Sequence, residues 1–274
     1  MGLHGGFRGD EWFAHRIEIF KNFTLKSLLN QTNKHFVLWL SFRPQEWEHP
    51  YLKELETYIA GLNAFPAIFT YDGLMYWDDK FSGRILDRIK NFARIIRDSL
   101  RYKRLELESF KEIFRNKNQT LSKRLESALD NLSSILPKVD WIYLTRIDSD
   151  DLFHKDAVTE IQNQSPEYRR VFIYKNGYVY NSNTQELAEW NPPTNPPFHT
   201  IIFPSDVFLT AKWHLSYLDG FRSHEDIPKL FNCKQLTDGR YCVLIHQRHV
   251  STIWKHPFQG KMIEDKTILK DFGI

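Results

Sequence analysis

The run Trp141-Ile142-Tyr143-Leu144-Thr145-Arg146-Ile147 is almost continuously apolar and stops at Asp148-Ser149-Asp150-Asp151. Seven residues are too few for an amphipathic helix, and the aromatic and β-branched content favours a strand covered on both faces. Two further runs share this character. His35 to Phe42 ends at Arg43-Pro44, and Ala67 to Tyr71 ends at the turn pair Asp72-Gly73. Between them Pro50 to Leu62 has helical spacing, with proline at a position suited to a first turn. Strand and helix units in succession predict an α/β fold with a mostly parallel central sheet flanked by helices.

The rest of the chain is punctuated in the same way. Phe13, Ile17, Phe20, Leu25, Leu28 and Leu29 mark a helix from Glu11 to Asn30 whose spacing breaks near Asn22 to Thr24. Residues 82–136 contain no proline and read as a long helical insertion in a single domain spanning 1–274; a second helix restarts near Gln119 and ends before Pro137. Within the insertion Ile85, Ile89, Phe92, Ile96 and Leu100 repeat at helical spacing beside a surplus of arginine and lysine. That surplus fits either a solvated helix face or peripheral contact with an anionic membrane surface. Val171 to Tyr180, with Asn176-Gly177 at its middle, predicts a hairpin. The proline-rich stretch 191–197 is a connector, and Thr200 to Phe203 and Tyr241 to His246 supply later strands.

Composition narrows the classes. Hydrophobic residues at 42% and charged residues at 26% describe a folded globular chain and exclude a disordered one. A formal charge of only +3 gives no whole-molecule attraction to nucleic acid. Two cysteines, with no secretory h-region or membrane-length apolar run, predict a cytoplasmic protein, peripheral at the inner membrane face if the basic helix docks there. No Gly-x-x-x-x-Gly-Lys loop, Gly-x-Ser-x-Gly elbow or His-Glu-x-x-His helix occurs.

Three carboxylates in four positions repel one another unless a cation neutralises them. In an extended strand Asp148 and Asp150 point the same way, and hard oxygens suit Mg2+ or Mn2+ with positions left for phosphate. The competing explanation is a polar turn capping a helix that begins near His154. At the carboxyl end of a central strand, the cluster also occupies the place where open α/β sheets bind ligands.

The segment Trp12-Phe13-Ala14-His15-Arg16-Ile17-Glu18-Ile19-Phe20, followed by Thr24-Leu25-Lys26-Ser27-Leu28 and Gln31-Thr32, resembles the start of a rhamnosyltransferase family of bacterial glycosyltransferases. Thr145 to Asp151 resembles its acidic motif, and His246 with Val250-Ser251-Thr252 its C-terminal motif. More broadly the chain is similar to nucleotide-sugar transferases of the GT-A fold, although Met1 to Asp10 lacks the opening strand usual there. The resemblance implies Asp148 and Asp150 as ligands of a metal bridging the donor diphosphate, with Asp151 in support and His246 as a further ligand. Arg16 and Arg146 would add positive charge at the donor or serve as structural ion-pair partners. Asp72 would meet the donor base or ribose, or is an ordinary turn residue.

An inverting displacement needs a base for the acceptor hydroxyl. Glu225 and Asp226 resemble the Glu-Asp element that related transferases place beside the acceptor; a charge pair at a helix start is the alternative. Trp77, Trp190 and Trp213, set among polar residues, are candidates for stacking against a glycan or lipid-linked acceptor. A catalytically inert glycan-binding relative and a metal-dependent phosphoryl-transfer enzyme would use the same residues.

Overall fold

The computed structural model describes residues 9–42, 46–71, 121–210, 224–246 and 260–274, together with helical positions 89, 92, 93, 96, 97, 99 and 100. Asp72, Trp77 and Trp213, His249 with Val250 to Thr252, and most of the insertion lie outside the described residues. The chain forms two compact units, one from residues 1–17, 37–136 and 209–211, the other from 18–36, 137–208 and 212–274.

The first helix, α1 (Asp10–Ile19), runs into a π-helical segment, Phe20–Thr24, and then α2 (Leu25–Leu29). The Leu25 amide donates to the Phe20 carbonyl, five residues back. The five-residue gap between the buried Phe20 and Leu25 is what breaks the apolar spacing: one wide turn keeps both side chains in the core.

In the first unit β1 (Leu38–Ser41) pairs in parallel with β2 (Ala67–Thr70), Leu38 opposite Ala67. Between them α3 (Pro50–Leu62) starts on Pro50 and ends at Asn63 in the left-handed region at φ 48°. Leu52, Leu55 and Ile59 form its buried stripe. The Trp39 indole donates to Thr70 Oγ1 at 2.8 Å, tying the two strands side chain to side chain. Farther along, α4 (Leu121–Ile135) is the helix expected before Pro137.

Among its described residues the second unit contains two four-stranded sheets. Its elements in chain order are β3 (Trp141–Thr145), β4 (Leu152–Phe153), α5 (Ala157–Gln162), β5 (Arg170–Ile173), β6 (Gly177–Asn181), β7 (Glu186–Trp190), β8 (His199–Pro204), α6 (Ser205–Leu209), α7 (Ile227–Leu230), β9 (Asn232–Gln235) and β10 (Tyr241–Ile245). One sheet has the order β3-β8-β5-β9 and the other β4-β10-β6-β7.

The α/β class holds, but the sheets are mixed rather than mostly parallel. β5 with β9 and β6 with β10 are parallel, whereas β3 with β8, β5 with β8, β4 with β10 and β6 with β7 are antiparallel. Continuous apolar runs report burial on both faces, and β8 is buried along nearly its whole length while pairing antiparallel on both sides. Strand direction leaves no such mark.

The expected hairpin over Val171 to Tyr180 does not form, because β5 and β6 enter different sheets. Gly177 is a glycine for another reason. A Cβ there would stand 2.6 Å from the Tyr241 carbonyl and 2.8 Å from its ring, so only hydrogen lets β6 lie this close to β10.

The second sheet is closed over by the C-terminus. Leu152, Tyr180, Leu187, Cys242 and Leu244 pack with Leu269 and Phe272 from a 3-10 turn, Lys266–Phe272, whose Thr267 amide is capped by Asp265. Buried this way, the Cys242 thiol is pushed well above its usual pKa.

Candidate functional site

Backbone geometry sets the acidic cluster. The Arg146 amide donates to the His199 carbonyl at 3.0 Å, carrying the β3–β8 pairing one residue past the strand, and Thr145 and Thr200 hydroxyls meet at 2.8 Å. The chain then turns, with the Asp151 amide donating to the Asp148 carbonyl at 3.2 Å. Asp148 to Asp151 is therefore a four-residue turn between β3 and β4, and the two-residue alternation of an extended strand does not apply. Among the described residues β3 is also an edge strand of its sheet and half-buried, rather than central and buried on both faces.

The turn sends the carboxylates to different partners. Asp148 Oδ1 accepts from Arg146 Nε at 3.2 Å and Nη2 at 3.1 Å, a half-exposed pair. Asp151 is buried, and its Oδ1 accepts the Leu244 amide of β10 at 3.3 Å. Asp150 reaches His246, with Oδ2 3.2 Å from Nε2 and the imidazole side chain 1% exposed. Asp148 and Asp150 thus do not converge in the way an extended strand would bring them together.

The Asp150–His246 pair has the dimensions of one edge of a coordination octahedron. Adjacent ligands of an ion held by ~2.1 Å bonds stand about 3 Å apart. Among the described residues no group of three or more His, Cys, Asp or Glu side chains converges on one point. Asp150 and His246 are the residues that could hold such an ion.

A second element closes on the same turn. His224, Glu225 and Asp226 form a 3-10 turn immediately before α7. The Asn195 side-chain amide donates to the His224 carbonyl at 3.0 Å, and His224 Nδ1 meets the Asn195 carbonyl at 2.5 Å. A carbonyl oxygen only accepts, so Nδ1 carries the proton. Burial is the main cause lowering the His224 pKa; the Asn195 carbonyl opposes it, Arg146 adds to it, and Asp148 and Glu225 oppose it in turn. The Glu225 carboxylate and the Arg146–Asp148 pair consequently lie within electrostatic range of one imidazole.

Next to them His199 is fully buried, and burial, reinforced by Arg146 and His224, pushes its pKa down to about 3. Asp226 pairs with Lys229 at 3.3 Å and occupies the N-cap position of α7 without a side-chain capping bond.

Arg16 belongs to the other unit, where it is buried with its guanidinium 5.6 Å from the Trp12 ring. Trp190 ends β7 half-buried. Asn195, His199 and His224 are the site residues that sequence patterns passed over. Their one signal is the proline bracket around Asn195, Pro192-Pro193-Thr194-Asn195-Pro196-Pro197, which holds a polar side chain in a rigid connector. Comparison of the chain with protein-family models, curated proteins and solved structures returned no match.

Proposed function

We propose that this chain is a metal-dependent glycosyltransferase of GT-A-like architecture, moving a sugar from a nucleotide-sugar donor to a glycan or lipid-linked acceptor with inversion. The observation that carries the reading is the Asp150–His246 pair, 3.2 Å apart, with the Glu225-bearing turn within electrostatic range of the same acidic turn. Rhamnose is the sugar to which the family resemblance points.

Asp150 and His246 would hold Mn2+ or Mg2+, which when bound supplies Lewis-acid stabilisation of charge on the departing diphosphate. Arg146, fixed by Asp148, adds a preorganised positive charge on the same side. Glu225 or Asp226 takes the proton from the acceptor hydroxyl; neutral His224 and its Asn195 bracket hold that turn in place.

A second reading draws on two of the same contacts. Asp148 Oδ1 engaged by Arg146, and Asp151 Oδ1 engaged by the Leu244 amide, are what an inert glycan-binding relative would retain. Thermal unfolding with UDP-, GDP- and dTDP-sugars, each with and without Mn2+, separates the two. The transferase gains stability only when donor and metal are both present; an inert relative gains none. Asp226→Asn should leave that gain intact and slow transfer by about a hundredfold or more if Asp226 is the base. Wild-type turnover would shift the role to Glu225.

A further inference from the structure

Positions 89, 92, 93, 96, 97, 99 and 100 are helical. At about 100° per residue, Ile89, Phe92, Ile96 and Leu100 fall within an arc of roughly 80° on such a helix. A stripe of this kind normally faces a core. Here the four side chains are 59%, 42%, 40% and 75% exposed, while Ser99 on the flank is buried. Ile89, Phe92, Ile96 and Leu100 are thus all exposed rather than part of a core.

The charge around it is just as local. Residues 84–104 carry Arg84, Arg88, Lys90, Arg94, Arg97, Arg101, Lys103 and Arg104 against Asp87 and Asp98, whereas the whole chain has a net charge of only +3. The remaining residues are therefore net negative, and Arg97, helical and exposed, stands beside the stripe.

We infer that this face docks the protein on an anionic lipid surface, with Ile89, Phe92, Ile96 and Leu100 entering the headgroup boundary and Arg97, with the arginines and lysines near it in sequence, meeting lipid phosphates. Amphipathic helices with an apolar stripe and arginine or lysine on their flanks lie in the membrane plane in this manner. Each cation at such a surface strengthens partitioning about fivefold. No helix among the described residues is long and apolar enough to cross a bilayer. The inference stands apart from the donor site and holds whether or not sugar transfer does.

The test is co-sedimentation of the full chain with phosphatidylcholine vesicles, plain or containing about one third phosphatidylglycerol. The expected result is at least tenfold stronger partitioning to the anionic vesicles, weakened by added salt. Ile96→Glu with Leu100→Glu should reduce it about tenfold or more with thermal unfolding unchanged, because both side chains are already exposed. Arg97→Glu, which leaves the stripe intact, should weaken it about fivefold or more. Equal partitioning to both vesicle types, or undiminished binding by the double variant, would overturn the inference. So would a wild-type chain that ignores vesicles and self-associates until Leu100→Glu makes it monomeric, which would give the face to a second copy.

Discussion

The antiparallel pair β4–β10 has a histidine beyond each end, and the two ends are built differently. At one end His154 lies among charges that answer one another. Arg240 Nη1 is 2.7 Å from its Nδ1 and 3.7 Å from Asp156 Oδ2, Arg240 Nε is 3.3 Å from Glu160, and Lys155 meets Asp271 at 2.8 Å. Burial and Arg240 lower the His154 pKa, while Asp271 and Asp156 pull it back. At the other end three carboxylates share one turn, Arg146 is committed to Asp148, and His246 faces Asp150. A balanced network serves to fix the C-terminal turn against the sheet. An acidic turn facing a buried imidazole is the end proposed above to hold a ligand.

If that contrast is right, damage to the balanced end should appear in stability and damage to the acidic end in ligand binding. Phe272, fully buried and edge-on to His154 at 5.6 Å, should cost about 4 kcal/mol when changed to Ala, measured by denaturant unfolding. Donor affinity normalised to folded protein should be unchanged. Asp150→Ala should weaken Mn2+-dependent donor binding about a hundredfold by calorimetry, with a melting temperature close to wild type. A large fall in stability without loss of binding would erase the distinction between the ends.

Acid should act through His199 beside the acidic turn. Its pKa is about 3 when folded against 6.5 as a free side chain, so the unfolded chain binds the proton more readily between those values. Stability is then full above pH 6.5 and falls as pH drops toward 3, by about 2 kcal/mol at pH 5. His199→Gln should flatten that slope in unfolding curves taken between pH 7 and pH 5, an interval chosen to cover roughly that loss. The smallest effect belongs to Asp151→Ala. It leaves the buried Leu244 amide without this acceptor but relieves crowding in the turn, for a net cost of about 1 kcal/mol by thermal unfolding.

The legible parts of the sequence were those governed by local rules. α3 could be read from Pro50 at its start and from Leu52, Leu55 and Ile59 at helical spacing, because capping and periodicity act within a few residues. The acidic turn and His246 were visible as residue types at the ends of apolar runs. Their pairing through Asp150 depends on a turn that leaves Asp148 with the neighbouring Arg146 and turns Asp150 and Asp151 toward partners more than ninety residues away. Strand direction and the division into two sheets were illegible for the same reason. Asn176-Gly177 looks like a hairpin turn, yet the glycine answers to Tyr241, more than sixty residues away. The Asn195–His224 bracket likewise joins segments whose only common sign is polarity.

The wide turn at Phe20–Thr24 acts as a phase setting for α2 and the residues just beyond it. Ser27 Oγ accepts the Phe153 amide, and Gln31 holds the His154 carbonyl and the Val158 amide with its two ends. If the same residues rewound as a regular α-helix, Ser27 and Gln31 would swing about 100° around its axis relative to Ile19, whereas deleting one residue would restore the regular helix and leave both in phase. Closing the wide turn without losing a residue would therefore detach β4 from its helical support, although every residue flanking the acidic turn would still be present.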